Sequence, residues 1–349
     1  MSDMHGVLTS TLENWSATQL RYTQNTAIDG TLIPLKGDAS TRRYYRIRGH
    51  NQKSYIVVYA PPETEKNQQF INIAKNWLVQ GIHAPVIFSV NLEQGFMLLE
   101  DFGVHTLLDV LKQRPKKCNE LYQQAMSVLH RIQIIQPATD FSLPRFDRTK
   151  MLKEMVLFDQ WIATACLAMP CAGNQKKAVD LALNFVIDSA LEQPYVTVHR
   201  DYHSRNIMPV KNNLGILDFQ DAVTGPVTYD IVSLLRDCYI DWSVSRVYQW
   251  LSEFVSYTPS LKKVPQSTLN RWFDLMGLQR HLKAAGIFMR QWILNGNDFY
   301  LPDIPRVFSY IDYVCSLYKP LQPLKTWIEQ TILPGLQAQP WWQPHTLKE

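Results

Sequence analysis

Several signatures of common protein classes are missing from this chain of 349 residues. There is no Walker P-loop, which argues against the P-loop kinases and NTPases. The five cysteines are scattered and lack C-x-x-C or Cys/His spacing, so a zinc site is not indicated. No apolar run approaches the ~20 residues of a membrane span, and Met1–Trp15 lacks signal-peptide character. We therefore expect a cytoplasmic protein with no membrane partner.

Charge and composition narrow the classes further. The chain has 35 basic and 31 acidic residues, a net charge of +4, and no basic tail or arginine-rich block. Nucleic acid is therefore not an expected partner. With 46% hydrophobic residues, a chain of this length can bury a large core in two lobes. The sequence leaves the oligomeric state open and is compatible with a monomer.

The most informative segment is His199–Asn206, which reads HRDYHSRN and is followed by an apolar run ending in LDFQDA (Leu217–Ala222). An H-x-D-x-x-x-x-N loop followed by a strand that carries an Asp is typical of kinase-type phosphoryl transfer. In this pattern Asp201 accepts the proton of an attacking hydroxyl. Asn206 and Asp218 supply hard oxygen ligands, which suit Mg²⁺ because it needs few protein ligands. The segment predicts a phosphotransferase.

A simpler reading exists, because a lone His-Asp pair is commonly a surface hydrogen bond. Here four elements coincide: the His-Asp pair, the later Asn, the strand Asp and the segment Gly225–Asp230, which precedes a helical pattern. Asp230 is placed either to cap that helix or to clamp the catalytic loop from within the protein. The coincidence favours the catalytic reading.

The pattern of apolar residues predicts an α+β fold. A small β-rich lobe is expected over residues 1–103 and a larger, mostly helical catalytic and substrate-binding lobe over 104–349. The predicted elements of the first lobe are a helix at Leu12–Leu20, strands at Thr31–Leu35, Arg43–Arg48 and Ser54–Ala60, a helix at Glu63–Gln80, and a hairpin of Val86–Val90 with Gly95–Leu99. The first helices of the second lobe are predicted at Leu107–Leu111, Glu120–Ile135, Arg148–Met169 and Lys176–Leu191.

A short loop in the first lobe is a candidate for phosphate binding. Lys36–Thr41 joins two predicted strands and is rich in small residues, so its backbone N–H groups could lie over nucleotide phosphates. It contains one glycine, and a plain hairpin turn would look the same. The candidate nucleotide contacts are Gly37, Asp38, Ser40 and Arg43 near this loop, and Glu100 and Phe102 at the connection between the lobes.

The segments HRDYHSRN, LDFQDA and GPVTYD together resemble the aminoglycoside phosphotransferase/choline kinase superfamily, whose members are relatives of protein kinases. Other segments are similar to the bacterial anomeric N-acetylmuramate/N-acetylglucosamine kinases. These segments are Leu35–Ile47, Tyr55–Glu63, Gly81–Gly103, Gly277–Gln291 and Tyr300–Ile311. The resemblance extends over nearly the whole chain.

The resemblance implies a bilobal protein-kinase-like fold and an ATP- and Mg²⁺-dependent sugar kinase. Such an enzyme would phosphorylate the C1 hydroxyl of N-acetylmuramate or N-acetylglucosamine and serve cell-wall recycling. By the same resemblance, Asp201 is the base or hydroxyl-orienting carboxylate and Asn206 and Asp218 bind Mg²⁺, while His203 lies near the γ-phosphate. An anomeric hydroxyl is more acidic than an ordinary alcohol, so Asp201 need not be a strong base.

The chain departs from the kinase plan at one position. A lysine on the third strand, paired with a helix glutamate, usually grips the nucleotide phosphates, but the corresponding strand reads Ile56–Tyr59 without a basic residue. Either a neighbouring side chain substitutes, with Arg43, Arg46 or Lys53 as candidates, or nucleotide binding is weakened. Glu63 and Glu65 are left without an assigned partner.

Residues for the acceptor substrate are less constrained by the sequence. The candidates are Glu154, Asp159 and Trp161 on a predicted helix, and Arg236 after the Asp230 segment. Aromatic residues at helical spacing are far more often core than ligand contacts. A basic cluster of Arg280, His281 and Lys283 could meet the lactyl carboxylate of N-acetylmuramate, although helix packing explains it equally well.

Two alternative functions remain open at this point. A related kinase could act on another small hydroxyl compound, such as an aminoglycoside, choline, homoserine or a different hexose. The balanced charge of the chain tilts against cationic acceptors. A nucleotide-binding pseudokinase is supported by the missing lysine alone, and the retained Asp201, Asn206 and Asp218 argue against it.

Overall fold

The computed structural model describes residues 2–35, 41–136, 141–211 and 213–348, which form two compact units. The first unit contains the described residues up to Val110, together with Phe141 and the segment Arg205–Asp221. The second contains the remaining described residues. None of the described helices combines the length and the apolar character needed to cross a bilayer.

The first unit is built on a fully antiparallel five-stranded sheet of order β1-β2-β3-β5-β4. Its strands are β1 (Ile28–Pro34), β2 (Arg43–Gly49), β3 (Ser54–Tyr59), β4 (Ile87–Asn91) and β5 (Phe96–Glu100). Each predicted strand is present, with its ends shifted by a few residues at most. The alternation of buried and more exposed residues along β2 and β3 gives the sheet two distinct faces.

One face of the sheet is covered by the first helix, α1 (Ser2–Gln24), which is longer than predicted. Leu12 and Leu20 of α1 pack into a core with buried residues of the sheet, and Phe88 of β4 packs against its edge. The buried sheet residues are Leu32, Tyr45, Ile47, Tyr55, Val57, Phe96 and Leu98. The second helix, α2 (Asn67–Val79), begins later than the predicted Glu63. The reason is local, because the backbone after Pro61 forms a turn in which the Thr64 and Glu65 N–H groups both donate to the Pro61 carbonyl.

The remaining helices belong mostly to the second unit. They are α3 (Leu107–Gln113), α4 (Cys118–Gln133), α5 (Arg148–Leu157), α6 (Gly173–Leu191), α7 (Tyr229–Leu235), α8 (Val244–Tyr257), α9 (Gln266–Asn295), α10 (Ile304–Leu317), α11 (Gln322–Trp327) and α12 (Leu333–Gln337). The long α9 is central and packs against α5, α6, α7 and α10. The prediction of one helix over Arg148–Met169 is wrong in detail, since α5 passes into a wider π-helix at Phe158–Cys166.

Four short strands frame the motif segments. In the second unit, β6 (Tyr195–Val198) pairs with β9 (Val223–Pro226). In the first unit, β7 (Ile207–Val210) pairs with β8 (Asn213–Ile216). The HRDYHSRN segment therefore runs from the end of β6 to the start of β7, and Asp218 follows β8 directly. These are the positions that the sequence motif requires.

Candidate active site

The first unit encloses a cavity of about 290 Å³ on the face of the sheet opposite α1. Much of its wall is apolar, with Leu35, Ile56, Leu99, Met208 and Leu217 as the aliphatic residues. The polar side chains of its wall are Arg42, Tyr44, Arg46, Glu100, Asp101, Arg205, Asn206, Asp218 and Gln220. An apolar cleft with a few convergent polar groups is the usual form of a small-molecule site.

The segment after β5 is held firmly at the mouth of this cavity. Arg46 donates from Nε and Nη2 to the Asp101 carboxylate at 2.6 and 2.9 Å, and Nη2 also donates to the Gly103 carbonyl at 2.7 Å. Burial would raise the pKa of Asp101, but these bonds and the Gly103 N–H lower it on balance. Glu100 and Phe102, both predicted as nucleotide contacts, line the cavity, and the Glu100 carboxylate lies 3.1 Å from His83 Nε2.

Asn206 and Asp218, the predicted metal ligands, lie side by side in the first unit. The Leu217 N–H donates to the Asn206 carbonyl at 2.9 Å, which ties the two segments together. The Asn206 amide lies 3.4 Å from Asp218 Oδ2, and Gln220 Nε2 donates to Asp218 Oδ1 at 2.7 Å. Asp218 has φ of +63°, a conformation that costs a residue with a side chain about 1–3 kcal/mol and that clusters at functional sites.

These two side chains fit a magnesium ion. Adjacent oxygen ligands of an octahedral Mg²⁺ are about 2.9 Å apart, because each metal–oxygen bond is about 2.1 Å. A 180° turn of the Asn206 amide exchanges its oxygen and nitrogen, so an oxygen can stand where Nδ2 now lies, 3.4 Å from Asp218 Oδ2. Among the described residues no group of three or more His, Cys, Asp and Glu could hold a metal. Two protein ligands, completed by phosphate oxygens and water, are the usual arrangement for Mg²⁺.

The loop that carries Asp201 is anchored from inside the second unit. The buried Asp230 accepts hydrogen bonds from the backbone N–H groups of His199 and Arg200 at 2.6 and 3.0 Å. Asp230 is the second residue of α7 and does not cap it, so of the two roles predicted for it the clamp is confirmed. At the other end of the loop, Asp237 accepts from the Ser204 N–H at 2.9 Å. Both clamping carboxyls have pKa values raised by burial.

Asp201 itself is surrounded by positive charge. Its side chain is 36% exposed, and its Oδ1 lies 3.9 Å from the Lys283 ammonium of α9. Loss of hydration alone would raise the pKa of Asp201, but nearby cations outweigh this effect and hold the pKa well below the usual value. The groups responsible are Lys283, His203, Arg280 and Arg200. Asp201 is thus ionised before an acceptor binds, which suits a carboxylate that orients a hydroxyl.

Glu154 completes this charged cluster. It forms an ion pair with Arg200, accepts a hydrogen bond from Gln279 Nε2 at 2.9 Å, and lies 3.7 Å from the Lys283 ammonium. Burial would lower the pKa of Lys283, but Tyr229, Asp201 and Glu154 raise it on balance, so the ammonium stays charged. The structure therefore brings the predicted Glu154 into the Asp201 cluster through Lys283.

The other predicted acceptor residues are engaged elsewhere in the second unit. Asp159 accepts a hydrogen bond from the Cys171 N–H at 3.1 Å, and Trp161 is half-buried in the π-helix. Arg236 is 3% exposed and forms an ion pair with Asp274 at 2.8 Å, so we assign it to packing.

The remaining residues that were predicted to contact nucleotide or to take part in catalysis are His203, Gly37, Asp38, Ser40 and Arg43. His203 packs edge-on against Tyr239, and its backbone N–H donates to the Asp201 carbonyl at 3.0 Å. Gly37, Asp38 and Ser40 lie outside the described residues. Arg43 is exposed at the start of β2, and its neighbour Arg42 lines the cavity instead.

Sequence reasoning considered the basic run Arg42–Arg46 but named Arg43 rather than Arg42, because the choice between them depends on which face of the sheet each residue occupies. Arg42, Tyr44 and Arg46 share the cavity face, whereas Tyr45 and Ile47 face the core. The strand alternation could have shown this, since the buried aromatic and aliphatic residues fix the phase. Lys283 was noted only as part of a basic cluster, and nothing in the sequence places it beside Asp201.

The likenesses to known proteins agree with this geometry. Residues 31–255 match the model of the phosphotransferase enzyme family. An N-acetylmuramate/N-acetylglucosamine kinase of Pseudomonas putida is 38% identical over 289 residues, covering 82% of this chain and 84% of that protein.

Two solved structures share the fold. The choline kinase LicA from Streptococcus pneumoniae has a TM-score of 0.60 at 12% identity, covering 86% of this chain and 98% of that one. The amicoumacin kinase hAmiN, in complex with AMP-PNP and Ca²⁺, has a TM-score of 0.56 at 14% identity, covering 81% and 88%. The α+β kinase-like fold expected from the sequence is confirmed, and the chain belongs to the phosphotransferase enzyme family.

Proposed function

We propose that this chain is a sugar kinase that transfers the γ-phosphoryl group of ATP to the C1 hydroxyl of N-acetylmuramate or N-acetylglucosamine. Membership of the family implies a nucleoside triphosphate as donor and a divalent metal, and Mg²⁺ is our choice because of the two-ligand site. The choice of acceptor sugar is supported by the likeness to the N-acetylmuramate/N-acetylglucosamine kinase of Pseudomonas putida, which is 38% identical to this chain. The cytoplasmic location expected from the sequence is part of the proposal.

The observation that carries the proposal is the setting of Asp201. A carboxylate whose pKa is held low by Lys283 and neighbouring cations cannot remove a proton from a weakly acidic alcohol efficiently. It can accept a hydrogen bond from an anomeric hydroxyl, which is more acidic, and orient that oxygen for attack. Positioning and charge compensation then supply most of the rate, as in other phosphoryl transfers.

In the proposed reaction a bond forms between the sugar O1 and the γ-phosphorus, and the bond from that phosphorus to the β,γ-bridging oxygen breaks. The proton of O1 passes to Asp201 and then to water, and ADP leaves with the bridging oxygen. When bound, Mg²⁺ neutralises phosphate charge that develops on the leaving group. Asn206 and Asp218 would hold the metal, and Asp230 and Asp237 would keep the loop of Asp201 in place.

The same charges weigh against a cationic acceptor. Choline and aminoglycosides carry positive charge, and the residues around Asp201 include Lys283, Arg200 and Arg280. In the described part of the second unit, Glu154 is the other carboxylate that forms an ion pair with Lys283. Glu154 is also paired with Arg200. An acceptor that is neutral or anionic is therefore favoured on electrostatic grounds.

The test is Mg²⁺-dependent ATP consumption with N-acetylmuramate, N-acetylglucosamine, glucose, choline and kanamycin, with the phosphorylated position read by ³¹P NMR. A sugar 1-phosphate from either N-acetyl sugar is the expected result. Turnover with choline or kanamycin alone would keep the kinase chemistry and overturn the acceptor assignment. No turnover with any compound, in protein that binds ATP, would favour the pseudokinase alternative.

A further inference from the structure

The third strand of the sheet lacks the basic residue that kinases use to contact nucleotide phosphates. On β3, Ile56 lines the cavity, and Val58 follows two residues later on the same face. Tyr44 is opposite Val58 in the antiparallel register, and Arg46 is opposite Ile56. The residue that continues this row, one position before β2 begins, is Arg42, which also lines the cavity. A guanidinium from just before the neighbouring strand thus reaches the region that a β3 lysine would serve.

Arg42 is buried and held in a defined position. It is 4% exposed, and its Nε lies 3.0 Å from Glu65 Oε2. Glu65 is fixed in turn by the Thr41 hydroxyl, which donates to its Oε1 at 2.6 Å. Glu65 stands two residues before α2, so the pair connects the edge of the sheet to the start of that helix. This is the topology of the usual lysine–glutamate pair with both partners moved by a few residues.

The surroundings link Arg42 to the metal ligand Asp218. The guanidinium lies 5.3 Å from the centre of the Phe70 ring, and Phe70 stacks on Phe219 at 5.0 Å. Arg42, Tyr44 and Asp218 all line the same cavity. Phosphates bound beside the metal would lie within reach of the guanidinium.

We propose that Arg42, positioned by Glu65, is the cation that contacts the nucleotide phosphates in place of a third-strand lysine. The inference rests on the proposed kinase function. Arginine suits this role because its guanidinium has five N–H donors in a planar fork, which can bind a carboxylate and a phosphate together. A buried ion pair alone adds little stability, since desolvation offsets most of the attraction. Contact with a phosphate gives the pair a function.

The three residues considered from the sequence fit the role less well. Arg46 is engaged by the Asp101 carboxylate and the Gly103 carbonyl, and it fixes the segment after β5. Arg43 and Lys53 are both exposed. Arg42 differs from all three because it combines burial, a carboxylate partner and a place in the cavity wall.

The test compares ATP, ADP and adenosine binding by calorimetry in wild type, Arg42→Met and Arg42→Lys. Loss of charge-assisted phosphate contacts in Arg42→Met should weaken ATP and ADP binding by about 10–100-fold. Adenosine affinity should not change, because adenosine carries no phosphate. Arg42→Lys should recover part of the ATP affinity. Glu65→Gln should weaken ATP binding less than Arg42→Met, because it only loosens the position of the guanidinium.

Arg271→Met is the control for loss of an arginine–glutamate ion pair away from the cavity, since Arg271 pairs with Glu192 at 2.6 Å at a more exposed place in the second unit. It should bind ATP and adenosine like wild type. If Arg42→Met lost ATP and adenosine affinity equally, the pair would only join α2 to the sheet and the proposal would be wrong. Unchanged ATP affinity would overturn it as well. Nucleotide binding needs no acceptor, so failure of the sugar assay would not affect this measurement.

Discussion

The two units treat charge in opposite ways. In the first unit, Asp218 shares a cavity with Arg42, and the side chains that contact its carboxylate at hydrogen-bond distance are the neutral Asn206 and Gln220. In the second unit, Asp201 is surrounded by cations from the chain itself, with Lys283 foremost. The first arrangement suits ligands that bring charge with them, namely a divalent metal and phosphates. The second is already compensated before any ligand binds.

This difference indicates a division of labour. Fixed charges that need no reorganisation during reaction stabilise a transition state most effectively. A site completed by its ligand instead sets how tightly that ligand binds. We therefore expect substitutions around Asp201 to change the catalytic rate and to leave nucleotide affinity unchanged. Substitutions in the cavity should change nucleotide or metal affinity, whether or not the rate changes as well. A variant near Asp201 that changed only nucleotide affinity, or a cavity variant that changed only the rate, would contradict this division.

The largest effect is expected for Asp201→Asn. The amide keeps the size of the side chain but cannot accept the proton, so kcat should fall by about 10²–10⁴-fold. ATP affinity, measured by calorimetry, should stay within about twofold of wild type, because catalysis and binding are carried by different residues. Asp188→Asn, an exposed carboxylate paired with Arg148, is the control and should retain full activity. A kcat near that of wild type in Asp201→Asn would refute the assigned role.

Asp218→Asn should lower kcat and also weaken nucleotide binding. Loss of the carboxylate of the proposed metal site should raise the Mg²⁺ concentration needed for half-maximal rate by about 10–100-fold. Titration of Mg²⁺ at saturating ATP and acceptor measures this change. A variant with reduced kcat and an unchanged Mg²⁺ requirement would show that Asp218 acts in another way and that the charge of the cavity is not completed by a metal.

The sequence predicted much of the fold, and it did so where the signal was local. The strands from Arg43 to Glu100 follow from alternation and turn residues, and the spacing from Asp201 to Asp218 identified the chemistry. What it could not supply depends on tertiary packing. Lys283 lies on α9, far along the chain from Asp201, and no local pattern joins them. The same holds for Arg236, whose burial beside Asp274 follows from helix packing.

Lys283→Met tests whether the second unit compensates its own charge. Lys283 is the foremost of the cations that lower the pKa of Asp201; the others are His203, Arg280 and Arg200. Glu154 also lies near Lys283, so its negative charge would be less compensated in the variant. Without the ammonium the pKa of Asp201 should rise, since the desolvation that favours its protonated form is less opposed.

Lys283→Met should differ from wild type on the acidic side of the pH profile. In wild type, the ionised Asp201 is retained as pH falls below the ordinary carboxyl pKa, so Asp201 should not limit the acidic side of the profile. In Lys283→Met, the decline of kcat/KM on the acidic side of the profile should begin at a higher pH than in wild type. At neutral pH, kcat should fall about tenfold. Lys283→Arg should restore the wild-type profile. An unshifted acidic limb in Lys283→Met would show that the lysine does not set the charge of Asp201.

The smallest effect is expected from a matched pair of glycine substitutions, one in each unit. A Cβ on Gly215 of β8 would lie 2.5 Å from the ring of Phe102, which lines the nucleotide cavity. A Cβ on Gly286 of α9 would lie 2.5 Å from the backbone of Leu157 at the end of α5. Overpacking at either position should cost about 1–3 kcal/mol of stability.

The two variants should differ in kinetics although both are less stable. Gly215→Ala displaces an aromatic ring of the cavity wall, so KM for ATP should rise about threefold while kcat at saturation is retained. Gly286→Ala strains the contact between α9 and α5, the helices that carry Lys283 and Glu154, so kcat should fall while KM for ATP is unchanged. Steady-state kinetics at temperatures well below both melting points separates these outcomes. If both variants changed the same parameter, binding and rate would not be divided between the two units.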